Sequence, residues 1–342
     1  MRGHIDKLSK NITIDIENKP LGAIQWDFVC SIPEAFEVLN ANYEKGTESL
    51  FLYITNSCKR GCLNCSKDKE EYELEFPKIS TLIRTEAKNK LKYVILDGDP
   101  TCSERIYEYI DLFNELKLSY SVNTFSKLNE KFLEYVKNTI CKIQFKLDDL
   151  EQTEYLEDVI YSLEMCKKYG IYTGIIFSIT QKNWNKINEM IEFCKKYSVK
   201  QFSFSRLHSC HYIDKEYEFV SPKNYLELSK ELAKLRECEK QIHITSNDAI
   251  WKGCGACTTT TTIFPNGDVV PCAFLTEGKG NIYKESFDTI WHNKVFHDIR
   301  TSNLEGKCGE CQYKILCKGC RAVAFKEKGN YLAEDGGCWV GN

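Results

Sequence analysis

Cysteine spacing constrains this chain more than any other feature of its sequence. Of 342 residues, 18 are cysteine, and many of them fall into short runs rather than an even scatter. The first run is Cys58-Lys59-Arg60-Gly61-Cys62-Leu63-Asn64-Cys65, a Cys-x3-Cys-x2-Cys pattern following the apolar, strand-like Leu50 to Thr55. At this cysteine frequency such a triplet arises somewhere by chance with a probability of about 0.05, so it needs company. The C-terminal end supplies it with Cys254-x2-Cys257, Gly267-x4-Cys272, Cys308-x2-Cys311-x5-Cys317-x2-Cys320 and Cys338. A chance origin of the Cys308 to Cys320 run is on the order of 0.002, which marks these cysteines as ligands. Three thiolates on one loop can hold three irons of a 4Fe-4S cluster and leave the fourth open, whereas eight thiolates can ligate two clusters completely. Spacing alone equally permits a pair of four-cysteine zinc sites in the C-terminal region.

The remaining composition bounds the function classes. With 46 basic and 49 acidic residues the net charge is −3, so no global basic field argues for nucleic acid. Met1 to Lys7 lacks an apolar signal core, and no stretch approaches the roughly 20 apolar residues of a membrane span. The expected location is the cytoplasm, where a disulfide framework does not persist and clustered cysteines serve metals. Cys30, Cys102, Cys141, Cys166, Cys194, Cys210 and Cys238 are read as small buried apolar residues.

From Leu50 onward strand-like runs alternate with amphipathic helical segments, and six candidate strands begin near Leu50, Leu91, Ser119, Cys141, Ile171 and Val199. The segment Leu163 to Ile171 recurs 28 residues later as Ile191 to Val199, each copy ending a helix and entering a strand. That period fits one βα unit, so the fold class is α/β, with a partial (βα)6 barrel whose site lies at the C-terminal ends of its strands. Residues 1–48 form an N-terminal extension in which Ile12, Ile14 and Ile16 alternate like a strand and Ile32 to Asn40 reads as a short helix. The barrel is expected over 49–240, with a helix opened by Ser221-Pro222 near its end, and a small cysteine-rich domain over 241–342. Within that domain Thr258 to Phe264, the turn Pro265-Asn266-Gly267-Asp268, and Val269-Val270 predict a β-hairpin bringing Cys257 toward Cys272.

The Cys58 run resembles that of the radical S-adenosylmethionine (SAM) enzymes. In that family the open iron holds the amino and carboxylate groups of SAM, and one electron cleaves SAM to methionine and a 5′-deoxyadenosyl radical. The resemblance implies catalytic roles for Cys58, Cys62 and Cys65, with Asn64 where an aromatic residue commonly lies near the adenine. Asp97-Gly98-Asp99-Pro100 resembles the family's Gly-Gly-Glu-Pro segment, so Gly98 and Asp99 are expected at the SAM amino group, although the segment also suits an ordinary polar turn. Asn123 matches the family's Thr-Asn-Gly strand end, and Lys146 stands where many relatives have Ser, placed to meet the SAM carboxylate. Arg206 is a candidate anion contact, and His208, Cys210 and His211 are read as surface residues over the mouth.

Gly280-Asn281-Ile282, Ile290-Trp291, Cys308-Gly-Glu-Cys311 and Cys317-Lys-Gly-Cys320-Arg321-Ala322 resemble the SPASM domain, the auxiliary-cluster extension of radical SAM enzymes that mature peptides and proteins. The resemblance implies that Cys254, Cys257, Cys272 and Cys320 hold auxiliary cluster I, and that Cys308, Cys311, Cys317 and Cys338 hold cluster II. The link between Cys317 and Cys320 is one residue shorter than usual in the family. Three 4Fe-4S clusters and SAM are the implied cofactors. A peptide or protein is the implied substrate, with cross-link formation as the expected chemistry. A flavodoxin or ferredoxin is the implied electron donor, and a separate leader-peptide-binding protein a further partner. Tetrapyrrole side-chain modification and a non-enzymatic iron-sulfur electron carrier are the alternatives. Sulfatase maturation ranks below these, because Ala273 follows Cys272 where those relatives place an Asp.

Overall fold

In the computed structural model the described residues are 2–6, 11–15, 43–58, 71–139, 141–148, 150–151, 153–206, 219–246, 253–315 and 317–338. Two short strands, β1 (Arg2–Asp6) and β2 (Asn11–Asp15), pair antiparallel and include Ile12 and Ile14 of the expected strand. The expected helix over Ile32 to Asn40 lies outside the described residues.

The six expected strands are all present: β3 (Ser49–Leu52), β4 (Tyr93–Leu96), β5 (Ser119–Thr124), β6 (Cys141–Lys146), β7 (Tyr172–Ile179) and β8 (Gln201–Arg206). Helices connect them: α1 (Phe76–Asn89), α2 (Ile106–Glu115), α3 (Glu130–Val136), α4 (Thr153–Lys168) and α5 (Ile187–Lys196). Parallel strands covered by crossover helices must be apolar on both faces. Leu50, Leu52, Val94, Leu96, Val122, Ile143, Phe145, Ile175, Phe177, Phe202 and Phe204 accordingly have no exposed surface. Helix starts are fixed by side-chain caps: Asn129 accepts from Phe132 N at 2.8 Å ahead of α3. Ser221 likewise accepts from Asn224 N at 3.2 Å ahead of α6 (Pro222–Cys238), the expected Ser-Pro helix start.

The parallel sheet is wider than six strands. After α6 the chain adds β9 (His243–Ser246) parallel to β8. On the opposite edge β10 (Thr260–Ile263) lies parallel to β3, so the sheet runs past residue 240 in both directions. From β10 the chain turns into β11 (Asp268–Val270) and then β12 (Gly280–Asn281), both antiparallel to their neighbours. The predicted hairpin is β10–β11, with Thr262 opposite Val270. One ten-stranded sheet thus joins the barrel strands to the cysteine-rich region, in the order β12-β11-β10-β3-β4-β5-β6-β7-β8-β9.

Short helices complete that region: α7 (Phe287–Trp291), α8 (Lys294–Thr301), α9 (Gly306–Glu310) and α10 (Arg321–Lys328). The Gly280-Asn281-Ile282 and Ile290-Trp291 segments are packing partners: a Cβ on Gly280 would lie 2.4 Å from Ile290 Cγ1. Trp291, 1% exposed, anchors the region to the start of the barrel by donating its indole N–H to the Tyr43 carbonyl at 3.0 Å. No helix among the described residues is long and apolar enough to cross a membrane.

The 28-residue repeat reflects one helix ending used twice. Ile171 N donates to Cys166 O and Gly170 N to Lys167 O; in the second copy Val199 N donates to Cys194 O and Ser198 N to Lys195 O. Both form the left-handed helix end in which the first residue past the helix takes positive φ, +68° at Gly170 and +58° at Ser198. Cys166 and Cys194 are fully buried beneath these turns, as expected, and burial pushes both thiols up to about 12. Cys238, by contrast, is exposed at the last turn of α6, where the helix faces solvent. Cys30 and Cys210 lie outside the described residues. A side chain in the left-handed region costs about 1 kcal/mol that glycine does not incur. Ser198→Gly is therefore expected to stabilise the fold by about 0.5–1 kcal/mol, read as a higher urea midpoint at unchanged m-value.

Candidate functional site

The C-terminal ends of β3 to β6 place several expected residues together. Cys58 stands in the loop after β3, with its Sγ 3.8 Å from Asp99 Oδ2. Cys62, Asn64 and Cys65 lie outside the described residues, as do His208, Cys210 and His211. Gly98 packs edge-on to Tyr53, where a Cβ would come within 2.5 Å of the ring.

The two aspartates of the β4 turn are placed differently. Asp99 is fully buried in the left-handed conformation, φ +66°. Its carboxylate accepts from Ser126 Oγ at 2.6 Å, Thr124 Oγ1 at 2.7 Å, Thr101 Oγ1 at 3.0 Å and Phe125 N at 3.4 Å. The Cys102 thiol donates to the same carboxylate at 3.4 Å, so Cys102 is partly exposed and polar-bonded rather than a buried apolar residue. Asp97 is only half-buried. It accepts from Gly98 N at 2.7 Å and from Asn123 Nδ2 at 3.2 Å. Burial raises its carboxyl above the usual range, against the lowering pull of Gly98 N–H, Asn123 and the Lys146 charge. Asn123 Oδ1 is buried with no hydrogen-bond partner among the described residues. Lys146, at the end of β6, has its ammonium 3.9 Å from Asp148 and over the Phe125 ring. The strand ends therefore bring together a carboxylate, a buried unpartnered amide oxygen and an ammonium.

Arg206 does meet an anion, but an internal one. Its Nη2 lies 3.0 Å from Asp335 Oδ2, and the two side chains are 6% and 0% exposed. Burial alone would raise the Asp335 carboxyl, yet the Arg206 charge together with hydrogen bonds from Arg206, Cys320 N and Gly337 N holds the group below its ordinary value. Asp335 also accepts from Cys320 N at 2.8 Å and Gly337 N at 3.0 Å, and its own N–H faces Cys308 Sγ at 3.4 Å.

In the cysteine-rich region the thiols lie close enough to act on one another, and the two expected sets are coupled through Cys254 and Cys317. Cys254, Cys257, Cys272 and Cys320 feel one another: each of the first three is raised first by burial and then by the charge of others in this set. Burial takes Cys272 to about 12. In the second set, Cys308 accepts from Arg321 Nη2 at 3.6 Å, Cys311 from Tyr313 N at 3.4 Å, and Cys317 feels the charge of Cys338. The short Cys317–Cys320 link is accommodated by two consecutive left-handed residues, Lys318 and Gly319, both at φ +60°. A Cβ on Gly319 would lie 3.1 Å from Cys308 Sγ. No three His, Cys, Asp or Glu side chains among the described residues converge at single-ion distance. A cluster does not require that, because each thiolate binds its own iron. Buried thiols with raised pKa ionise only against a strong positive centre, which is what iron supplies. The two sets fit such groups in number and donor chemistry, and Cys257 is also fully buried.

Comparison with known proteins agrees with this layout. Residues 254–321 match the SPASM family, an iron-sulfur cluster-binding domain. Streptococcus suis SuiB bound to precursor peptide SuiA superposes with TM-score 0.71 at 19% identity, over 97% of this chain and 85% of that one. The C-terminal region of this chain carries a SPASM domain, and the chain as a whole has the fold of SuiB. Native anSMEcpe with bound AdoMet and Cp18Cys peptide also superposes, with TM-score 0.68 at 17% identity, covering 85% of this chain and 93% of that one. An AdoMet-dependent heme synthase of Methanosarcina barkeri is 28% identical over 201 residues, 57% of this chain. The match spans about half of that relative's length, 55%.

The Asp99 network, the Asp335 hub and the cations near Cys257 were not singled out from sequence. Positive φ at an Asp is the one feature of the first that glycine-like turn chemistry hinted at. Asp99→Ala strips an acceptor from three hydroxyls at once and is expected to cost about 2–3 kcal/mol in denaturant unfolding. A cost near zero would show that these hydroxyls find other partners.

Proposed function

We propose that this protein uses a SAM-binding 4Fe-4S cluster held by Cys58, Cys62 and Cys65 to modify a peptide or protein. What supports the reading is the combination of Cys58 after the first strand of a parallel βα sheet with eight cysteines in the C-terminal region that carries the SPASM match. Auxiliary cluster I would be held by Cys254, Cys257, Cys272 and Cys320, and cluster II by Cys308, Cys311, Cys317 and Cys338. Bound to the first cluster, SAM supplies a carbon-centred radical on one-electron reduction. The protein's task is to hold SAM, shield the mouth from water and position the substrate. Complete thiolate ligation leaves no open iron in the auxiliary sites, so they serve electron relay or structural clamping.

Asp97 is the better recipient of the SAM ammonium than Asp99. Asp97 is partly exposed and bonded to Gly98 N, Asn123 Nδ2 and Tyr53 beside the unpartnered Asn123 oxygen, whereas Asp99 is fully buried and surrounded by the hydroxyls, thiols and amide that its two oxygens serve. Lys146, next to this pair, is placed for the SAM carboxylate. A peptide substrate is supported by the peptide-bound relatives of the same fold. The heme synthase relative supports a second reading, modification of a tetrapyrrole side chain. Binding of short peptides against binding of a carboxylated tetrapyrrole, measured on the reconstituted protein, separates the two.

Anaerobically reconstituted protein is expected to carry about 12 irons per chain in three clusters. Reduced protein should release 5′-deoxyadenosine from SAM, and Cys62→Ala should abolish the release. About 4 irons with stoichiometric zinc, or no deoxyadenosine from the fully loaded wild type, overturns the proposal. Asp97→Asn is expected to weaken SAM binding about tenfold or more in calorimetry while leaving the unfolding midpoint nearly unchanged. Unaltered affinity would return the ammonium contact to Asp99.

A further inference from the structure

Two cations are buried against the first thiol set with no ion-pair partner among the described residues. Arg300 is 3% exposed; its Nε donates to the Cys257 carbonyl at 3.0 Å and its Nη2 to the Trp291 carbonyl at 2.9 Å. Lys318 is also 3% exposed, and its ammonium donates to the Arg300 carbonyl at 3.4 Å and lies over the Tyr43 ring. Neither forms an ion pair among the described residues; the carboxylate that Arg300 feels is that of Glu44, on the surface. Each nevertheless sits within electrostatic reach of the thiols: Arg300 of Cys257, and Lys318 of Cys254 and Cys257. Burying one unpaired charge costs several kcal/mol, and burying two like charges together adds their repulsion. Such a pair is tolerable when an anion is enclosed with it.

The second thiol set has a different charge environment. Arg321 lies between the sets, donating to Cys308 and acting on Cys254, whereas Arg206 is neutralised by Asp335, whose carboxylate raises Cys317. A fully thiolate-ligated cluster is anionic and gains one further negative charge on reduction, so unneutralised cations beside it favour the reduced form.

We infer that Lys318 and Arg300 are the counter-charges of auxiliary cluster I and set its reduction potential above that of cluster II. This rests on the cluster assignment proposed above. Both are positioning residues: they bind neither SAM nor substrate and act through the cluster's electron affinity.

The test is an anaerobic redox titration followed by electron paramagnetic resonance, on fully reconstituted wild type, Lys318→Met and Lys318→Arg, with iron content measured in each. Cys272→Ala identifies the cluster I signal by its loss. Lys318→Met is expected to lower the cluster I potential so that the reduced-to-oxidised ratio at fixed potential falls about tenfold, a 59 mV shift for one electron. Lys318→Arg should stay near wild type, and cluster II should not move. If Lys318→Met loses cluster I while Lys318→Arg keeps it, charge is again the cause. Loss in both variants, or full iron with an unshifted potential in Lys318→Met, overturns the inference. A wild type without auxiliary cluster signals would sink the cluster assignment instead.

Discussion

The carboxylate of Asp335 ties the two halves of the molecule together. It neutralises Arg206 at the end of β8 and caps the amide of Cys320 at the start of α10, while the Asp335 backbone N–H donates to the Cys308 sulfur. A buried ion pair of this kind gains little over an apolar substitute, but losing one partner leaves a naked charge in the interior. The arrangement therefore makes the barrel end and both thiol sets mutually dependent. Arg321 extends the same hub by donating to the carbonyls of Tyr331 and Ala333 and so pinning the chain that leads to Asp335.

Much of the architecture was legible because parallel strands buried on both faces must be written in apolar runs. Leu50, Val94, Val122, Phe145, Phe177 and Phe204 mark six strands whose order the βα rhythm then dictates. The seventh, His243–Ser246, escaped because an exposed edge strand of four residues carries only a half-polar pattern. The docking of β10 on β3 escaped for another reason: its partner is far away in sequence, as the Thr47 to Thr259 hydrogen bond across 212 residues illustrates. No local pattern encodes such a pairing.

The site shows the same division. Cysteine spacing marked the eight C-terminal cysteines as candidate ligands, since thiols close in sequence are recognisable as pairs. The roles of the polar residues were less legible, because they are decided by neighbours from other strands. Asp99 is turned inward by Thr124 and Ser126 on the β5 loop, leaving Asp97 at the opening. Arg206 finds its anion 129 residues away. Lys318 reads as one more surface lysine until its left-handed backbone carries it between Tyr43 and Arg300.

The pairing of β10 with β3 also governs how the chain is made. Strand β3 emerges early in synthesis, yet one of its two edges stays uncovered until Thr260–Ile263 has left the ribosome. Through that interval Ser49–Leu52 presents a row of open backbone donors and acceptors, the kind of edge that recruits strands from other molecules. The cysteine-rich segment thus acts as the closing piece of the sheet as well as a holder of thiols. A nascent or truncated chain lacking it would be exposed to edge-to-edge association even with its barrel helices in place.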